Sequence, residues 1–558
     1  MSLTKEKFFY LFRKYPLLRA VLVFVIILIL LFLIYKVSTY SGSLPEISAI
    51  SPQAANPGDV LTIYGAHFGT KKTENYVEIG GRRITSSSYI DWQDDRITLK
   101  LPMNVQDGLV FVSTINGKSE PKIFTNKNSV PVSAKSSVVS INPGISSLEP
   151  KTQAVGGIVT IYGSNFGIMR ADSQVLFSWQ ENKSGQQTFI ACSDSDYEYW
   201  SDQTIKVRVP DGATSGSLMV VTAKGKSPNY PFTLQTETGT KTFSDKRIYA
   251  VTVAVEVQNL TAENANGALV LRIPKPIVTA SQREVEISAS DPEPSIPEVS
   301  GTIVHNFDIN FEKPVPVAAT HSFVISSYAV STNVNEKLVK AYSSTTKQRF
   351  SEFLQADDLV KSDNEDIIAL AKKIIGKEKN PYIQARLIYQ YMLKNYTVDK
   401  KIRTGDEPVT DLLTEKHGDA YDFALVYCAL LRACGIPSVP VAGLLVTGYE
   451  TVPAHWWNEF YVENFGWVPV DCAAGTGYEA SDILAKKETD IAKFYFGSLD
   501  SRYIAFTRGL NRLRPASPKN KIVYKLRSYA FQTIWEESSE NITAYSSFWT
   551  NPIITGIY

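Results

Sequence analysis

Two residues that could carry acid–base chemistry lie at the ends of one predicted β-hairpin. The stretch AHWWNEFYVENFGWVPVD predicts a strand over 456–462, a turn over 464–466 and a second strand over 467–471. His455 and Asp471 stand at the open ends of these strands. We therefore expect an imidazole beside a carboxylate that orients it and stabilises its charge. Such a pair activates a nucleophile, which a third residue must supply.

The stretch KHGDAYDFALVYCALLRACGIPSVP is where a nucleophile would be expected. It predicts a bend at Gly418, a buried helix over about 421–433 and a helix stop at Gly435. A cysteine at the start of such a helix is a working nucleophile, because the helix N-terminus and an imidazolium stabilise its thiolate. The residue at this place is Ala420, and its methyl group has no such chemistry.

The four cysteines do not replace the missing thiol. Cys428 would lie about 12 Å from the helix start at ~1.5 Å per residue, and strand alternation directs Cys472 to the face opposite Asp471. The other two are Cys192 and Cys434. The four form no C-x-x-C pair and no disulfide framework, and no D-x-D-x-D-G loop occurs. We therefore predict no metal and no cofactor.

The N-terminus contains an uncharged apolar run over 20–35, with lysines and arginines before it. A bilayer-spanning helix needs about 20 such residues, and positive charge stays in the cytoplasm. Residues 1–40 are therefore predicted to be a cytoplasmic stub and a single-pass transmembrane anchor. The rest of the chain would be extracytoplasmic, in a periplasm or at a cell surface. A cleaved signal peptide is the alternative.

A domain-sized repeat follows the predicted anchor. TIYGAHFG in the first copy corresponds to TIYGSNFG in the second, and short alternating stretches are broken by Gly and Pro in both. These features favour duplicated β-sandwiches over 41–130 and 140–236. The pattern resembles the IPT/TIG family of immunoglobulin-like domains. The resemblance implies structural or binding modules without catalysis.

Residues 240–335 carry strict period-two alternation, as in IYAVTVAVEVQNLT, and predict a third β-sandwich. His305 and His321 lie in these strands without carboxylate or histidine neighbours at ligand spacing, and we interpret them as ordinary strand residues. After these strands, the apolar residues recur at helical spacing, as in NPYIQARLIYQYMLKNY. An α/β domain is therefore predicted over 340–558.

This last domain resembles the transglutaminase-like superfamily, whose core is a papain-like cysteine fold. The resemblance rests on two motifs. The first consists of G-x-x-x-x-F-A, which starts at Gly418, and L-L-R-A-x-G-I-P, which starts at Leu430. The second consists of H-x-W-x-E, which starts at His455, and G-W-x-P-V-D, which starts at Gly466. It implies that His455 and Asp471 are the second and third members of a catalytic triad. The first member departs from the family pattern, because Ala420 occupies the cysteine position.

The fold class expected is thus an N-terminal transmembrane helix, three immunoglobulin-like β-sandwiches and an α+β papain-like transglutaminase core. Three functions remain open. The chain could be an inactive binding or scaffolding protein of the cell envelope, with a protein or cell-wall peptide as partner. It could be an active thiol-dependent transglutaminase or cysteine peptidase whose Cys is replaced in this copy. Alternatively, His455 and Asp471 only brace the core. A net charge of +1 argues against nucleic acid as a partner.

Overall fold

The computed structural model describes residues 44–70, 75–127, 142–181, 187–263, 266–312, 316–403, 408–448, 450–477 and 490–558. The chain divides into two compact units, Met1–Ser136 and Ser137–Tyr558. The predicted anchor over 1–40 lies outside the described residues. Within the part of the chain that is described, no helix is long and apolar enough to cross a membrane.

The first unit is a β-sandwich built from alternating strands. Its strands are β1 (Glu46–Ser51), β2 (Ala54–Ala55), β3 (Val60–Ala66), β4 (Tyr76–Ile79), β5 (Arg82–Arg83), β6 (Tyr89–Trp92), β7 (Arg96–Lys100), β8 (Gly108–Thr114), β9 (Gly117–Lys118) and β10 (Lys122–Asn126). One sheet has the order β1-β3-β7-β6, and the other has the order β2-β10-β8-β4-β5 with β9 beside β8. Leu61, Ile63, Ile97 and Leu99 alternate inward and are fully buried between the sheets.

The second repeat has the same topology. Its strands are β11 (Gly144–Glu149), β12 (Thr152–Gln153), β13 (Ile158–Ser164), β14 (Gln174–Glu181), β15 (Gln187–Ala191), β16 (Tyr197–Trp200), β17 (Thr204–Arg208), β18 (Gly216–Thr222), β19 (Gly225–Lys226) and β20 (Tyr230–Leu234). The register is repeated as well: Ile161 pairs with Ile205 as Ile63 pairs with Ile97. Trp200 donates to a backbone carbonyl across the sandwich end, as Trp92 does in the first copy. Both tryptophans therefore close their sandwiches.

A third sandwich begins with long strands. They are β21 (Gly239–Ala262), β22 (Asn266–Pro274), β23 (Gln282–Asp291), β24 (Ile296–Val299), β25 (Thr302–Asn310) and β26 (Val317–Val334). Strand β21 pairs with β26 over most of its length, from Gly239 opposite Val334 to Val257 opposite Val317. Alternate valines of β21 face the core, as the period-two pattern predicts.

Two histidines form a buried pair inside this sandwich. The Nε2 atoms of His305 and His321 lie 2.8 Å apart, and His321 Nδ1 lies 2.9 Å from Ser290 Oγ. Burial lowers the pKa of both rings, and that of His321 falls to about 3. The expectation that neither residue has a histidine neighbour was wrong, because β25 and β26 belong to different sheets and the packing of these sheets brings the two rings together.

The α/β core follows the third sandwich. Its helices are α1 (Ser344–Arg349), α2 (Glu365–Ile375), α3 (Pro381–Asn395), α4 (Leu412–Glu415), α5 (Ala420–Ala433), α6 (Cys472–Gly475) and α7 (Ile491–Phe494). Its strands are β27 (Thr397–Val398), β28 (His417–Gly418), β29 (Ser438–Leu445), β30 (Glu450–Thr451), β31 (Ala454–Val462), β32 (Gly466–Val470), β33 (Ser498–Leu499) and β34 (Tyr503–Arg508). Four of them form a sheet of order β32-β31-β29-β34. Asn364 and Asn380 cap α2 and α3, because their side chains accept hydrogen bonds from backbone N–H groups of the first helical turn.

The C-terminal strands return to the third sandwich. They are β35 (Lys521–Tyr524), β36 (Trp535–Ser538), β37 (Ile542–Trp549) and β38 (Ile553–Ile557). Strands β37 and β38 pair with β21, and β36 pairs with β22. The sequence pattern predicts that these residues belong to the α/β domain over 340–558, but in the structure they complete the sheets begun at Gly239. Their alternation identifies strands and cannot identify the sheet that they join.

Candidate functional site

Ala420, where the resemblance implies a nucleophile, is the first residue of helix α5. Asp419 precedes it as the N-cap, and its side chain accepts a hydrogen bond from Asp422 N, while Asp422 Oδ2 accepts one from Asp419 N. This reciprocal capping box fixes the helix start one residue earlier than predicted. A Cβ at Gly418 would lie 2.7 Å from Asp422 Oδ2, so the preceding glycine allows this close approach. Ala420 itself is 4% exposed.

Two arginines neutralise the two capping carboxylates. Arg527 donates to both oxygens of Asp419 at 2.9 and 2.8 Å and to Asp422 Oδ1 at 3.1 Å. Arg403 donates to Asp422 Oδ2 through its side chain and to Asp419 Oδ2 through its backbone N–H. Burial and the neighbouring Asp422 carboxylate raise the pKa of Asp419. The positive end of the helix thus faces carboxylates that are themselves paired with guanidinium groups.

The structure brings His455 and Asp471 together, as the hairpin predicts. His455 Nε2 lies 2.6 Å from Asp471 Oδ2, and both side chains are buried. Asp471 Oδ1 accepts from Ala474 N at 2.8 Å, so the carboxylate also caps helix α6. A nucleophile activated by His455 would have to use Nδ1, because Nε2 is engaged with the carboxylate.

Tyr503 joins His455 and Asp471 through a hydrogen bond to the carboxylate. Its hydroxyl group donates to Asp471 Oδ2 at 2.8 Å, and its ring lies 5.8 Å from the ring of His455. Burial and the Asp471 carboxylate raise the pKa of Tyr503, so the phenol stays protonated and donates. The carboxylate therefore accepts from an imidazole, a phenol and a backbone amide, which leaves it fully satisfied.

Strand β31 connects the two halves of the site. Asn458 Nδ2 donates to Ala424 O of helix α5 at 2.8 Å, and Trp456 meets Tyr421 with ring centroids 5.3 Å apart. His455 belongs to the opposite face by strand alternation, where its ring stacks on Trp457. The side chain of His455 is 4% exposed and therefore has little contact with solvent.

None of the four thiols lies at the helix start. Cys428 is buried in helix α5, 3.3 Å from Ser438 Oγ, and burial raises the pKa of its thiol. Burial likewise raises the pKa of Cys472 and Cys192, and that of Cys434 rises to about 11. A nucleophilic cysteine needs a lowered pKa and solvent access, and these four have the opposite environment.

Among the described residues, no group of three or more His, Cys, Asp and Glu side chains could hold a metal ion. Tyr503, Arg403 and Arg527 were not predicted as site residues, because they approach the site from segments without a recognisable motif. Only the pairing of β34 with β29 brings Tyr503 beside the hairpin.

The fold and this site together define a multidomain protein with an immunoglobulin-like, β-rich N-terminal region and a papain-like α+β core. Residues 368–472 match the Transglutaminase-like superfamily, and residues 45–132 and 143–236 match the IPT/TIG domain. The chain therefore contains a transglutaminase-like core preceded by two IPT/TIG domains, which confirms both resemblances.

The related proteins cover parts of the chain. An uncharacterised protein of Haemophilus influenzae is 29% identical over 182 residues, which cover 28% of this chain and 49% of that protein. A cyclomaltodextrin glucanotransferase of Paenibacillus macerans is 36% identical over 78 residues, or 14% of this chain and 10% of that enzyme. The chain thus spans at most about half the length of these two relatives.

Two solved structures are similar to parts of the chain. One is a protein of Cytophaga hutchinsonii provisionally named a cysteine protease, with 15% identity, a TM-score of 0.36 and coverage of 57% of this chain and 91% of that chain. The other is the periplasmic domain of TgpA from Pseudomonas aeruginosa, with 17% identity, a TM-score of 0.23 and coverage of 41% and 86%.

The network at the helix start leads to a stability prediction. Arg527→Ala removes the guanidinium group that donates to the buried carboxylates of Asp419 and Asp422. We expect the free energy of unfolding to fall by about 3 kcal/mol. Arg386→Ala is the matched control, because its ion pair with Glu336 is more than a third exposed and should cost less than about 1 kcal/mol. Thermal and urea unfolding of both variants measure the difference. Equal, small losses would show that the buried network does not hold the helix start.

Proposed function

We propose that this chain is a transglutaminase-like protein without thiol chemistry, acting as a binding or scaffolding protein of the cell envelope. One observation carries the proposal: Ala420 occupies the first position of helix α5, where the family resemblance places the nucleophile. Cysteine acyl transfer requires a thiolate beside the imidazole, and a methyl group cannot form the thioester.

The environment of the site also supports this proposal. The positive end of helix α5, which would otherwise stabilise a thiolate, faces the capping carboxylates Asp419 and Asp422. The side chain of His455 is 4% exposed. A protein or peptide partner would therefore bind the surface of the core without reacting there.

An active thiol-dependent transglutaminase or cysteine peptidase remains the alternative function. The retained hydrogen bond between His455 and Asp471 favours it, because this pair would still orient an imidazole toward a nucleophile. In that case the cysteine is replaced in this copy alone, and restoring it should restore a reactive thiol.

Ala420→Cys tests whether the rest of the cysteine site is intact. We expect the introduced thiol to react with iodoacetamide near neutral pH, because the resemblance pairs residue 420 with His455, whose imidazolium would lower the pKa of the thiol although the capping carboxylates face the helix start. His455→Ala in the same background should slow the reaction at least about tenfold. Peptide mass spectrometry locates and times the modification.

Ala424→Cys is the matched control, since residue 424 is equally buried and lies one turn further along the same helix. It should remain unmodified in the folded protein. Modification of Cys428 or Cys472 in the unaltered folded protein would overturn the proposed loss of thiol chemistry. An unreactive Ala420→Cys thiol would show that the site is only a brace.

We further propose that residues 1–40 anchor the protein, with the N-terminus in the cytoplasm and the remaining domains outside. The basic residues before the apolar run support this topology. The full chain should sediment with membranes and resist extraction by high salt, whereas a chain lacking residues 1–40 should not. Release of the full chain by salt alone would contradict a transmembrane anchor.

A further inference from the structure

The sheet of the core borders a cavity on the face opposite helix α5. Trp457, Glu459 and Tyr461 alternate along strand β31 and line a cavity of about 370 Å³. Its other walls come from the second IPT/TIG domain and the third sandwich, including Asp211 and Lys241. These elements all belong to the second compact unit. Cavities where domains meet are common positions for small-ligand sites.

Charged side chains of both signs line the cavity, and six of them form three ion pairs. Lys241 lies 2.6 Å from Asp211, Arg508 lies 2.6 Å from Glu459, and Arg349 pairs with Asp196. The three pairs have no net formal charge, and with Arg283, Glu352 and Asp500 the formal charge of the wall is −1. A strongly anionic or cationic ligand would meet like charge in every pair.

Two guanidinium nitrogens in this wall lack a hydrogen-bond partner among the described residues. They are Arg508 Nη2 and Arg349 Nε, and both atoms are buried. Native proteins rarely leave buried donors unpaired, so these N–H groups can donate to an acceptor such as a water molecule or a ligand hydroxyl group. The carboxylates of Asp196 and Glu459 beside these arginines are acceptors, so the same ligand could also donate hydrogen bonds to them.

Aromatic rings supply the remaining chemistry of the cavity. The guanidinium of Arg508 lies 3.9 Å from the centroid of Trp467, and Phe353 and Tyr461 pack edge-on against the same indole. Aromatic side chains beside paired donors and acceptors suit a ligand that has both apolar ring faces and several hydroxyl groups. A hydroxyl both accepts and donates, so it can satisfy a guanidinium and its carboxylate together.

We propose that this cavity binds a small neutral saccharide, of mono- or disaccharide size. The volume is at the lower end of the range for small-ligand pockets. Val278 is 61% exposed while it lines the cavity, so it marks the rim through which a ligand enters. This site goes beyond the proposed function and does not depend on the chemistry at Ala420.

Calorimetric titration of the protein with glucose, N-acetylglucosamine, maltose and cellobiose at millimolar concentration tests the proposal. At least one sugar should give saturable binding and quench tryptophan fluorescence. Inorganic phosphate should give neither signal. Failure of all four sugars to bind would overturn the proposal, and so would competition by inorganic phosphate, because phosphate binding would identify an anion site.

Arg508→Lys keeps the positive charge beside Glu459 and removes the unpaired Nη2 donor. We expect it to weaken the binding of the sugar at least about tenfold. Arg386→Lys is the control, because Arg386 pairs with Glu336 and does not line the cavity. Unchanged sugar affinity in Arg508→Lys, or equal loss in both variants, would overturn the site. Circular dichroism and thermal unfolding confirm that each variant is folded before titration.

Discussion

The start of helix α5 is the constraint on which the core depends, because four charged groups must be paired there in little solvent. Asp419 and Asp422 cap the helix, and Arg403 and Arg527 satisfy their carboxylates. Buried carboxylates without such partners would be expensive. The network therefore fixes where the helix begins and draws the segment before the helix and the C-terminal segment against it. Ala420 is held in place by this arrangement although its own side chain contributes little.

The second half of the site is also held by hydrogen bonds that do not need a nucleophile. Asp471 accepts from His455, Tyr503 and the backbone of helix α6, and Asn458 connects the histidine strand to helix α5. Such a satisfied network is rigid and can persist after catalysis is lost. Retention of the His–Asp geometry is consequently compatible with a binding role, whereas the residue at the helix start determines whether acyl transfer can occur.

Local sequence signals were sufficient for the helix and the hairpin of the site. The bend at Gly418 and the stop at Gly435 delimited α5 to within one residue, and the turn at Asn464 sets the register that joins His455 to Asp471. Contacts between distant segments could not be predicted in this way. Tyr503 and Arg527 reach the site through the pairing of a later strand and through a loop, and neither residue has a motif. The His305–His321 pair and the return of the C-terminal strands to the third sandwich were missed for the same reason.

Under the proposed function, the unaltered protein has lost cysteine acyl-transfer chemistry while keeping the fold that supports it. The most direct measurement is amine incorporation by the purified full chain, with a glutamine-containing peptide as acyl donor and a fluorescent primary amine as acceptor. We expect no product above that of a heat-unfolded sample, with or without reducing agent. Product that accumulates with time and disappears after alkylation of the cysteines would contradict this expectation.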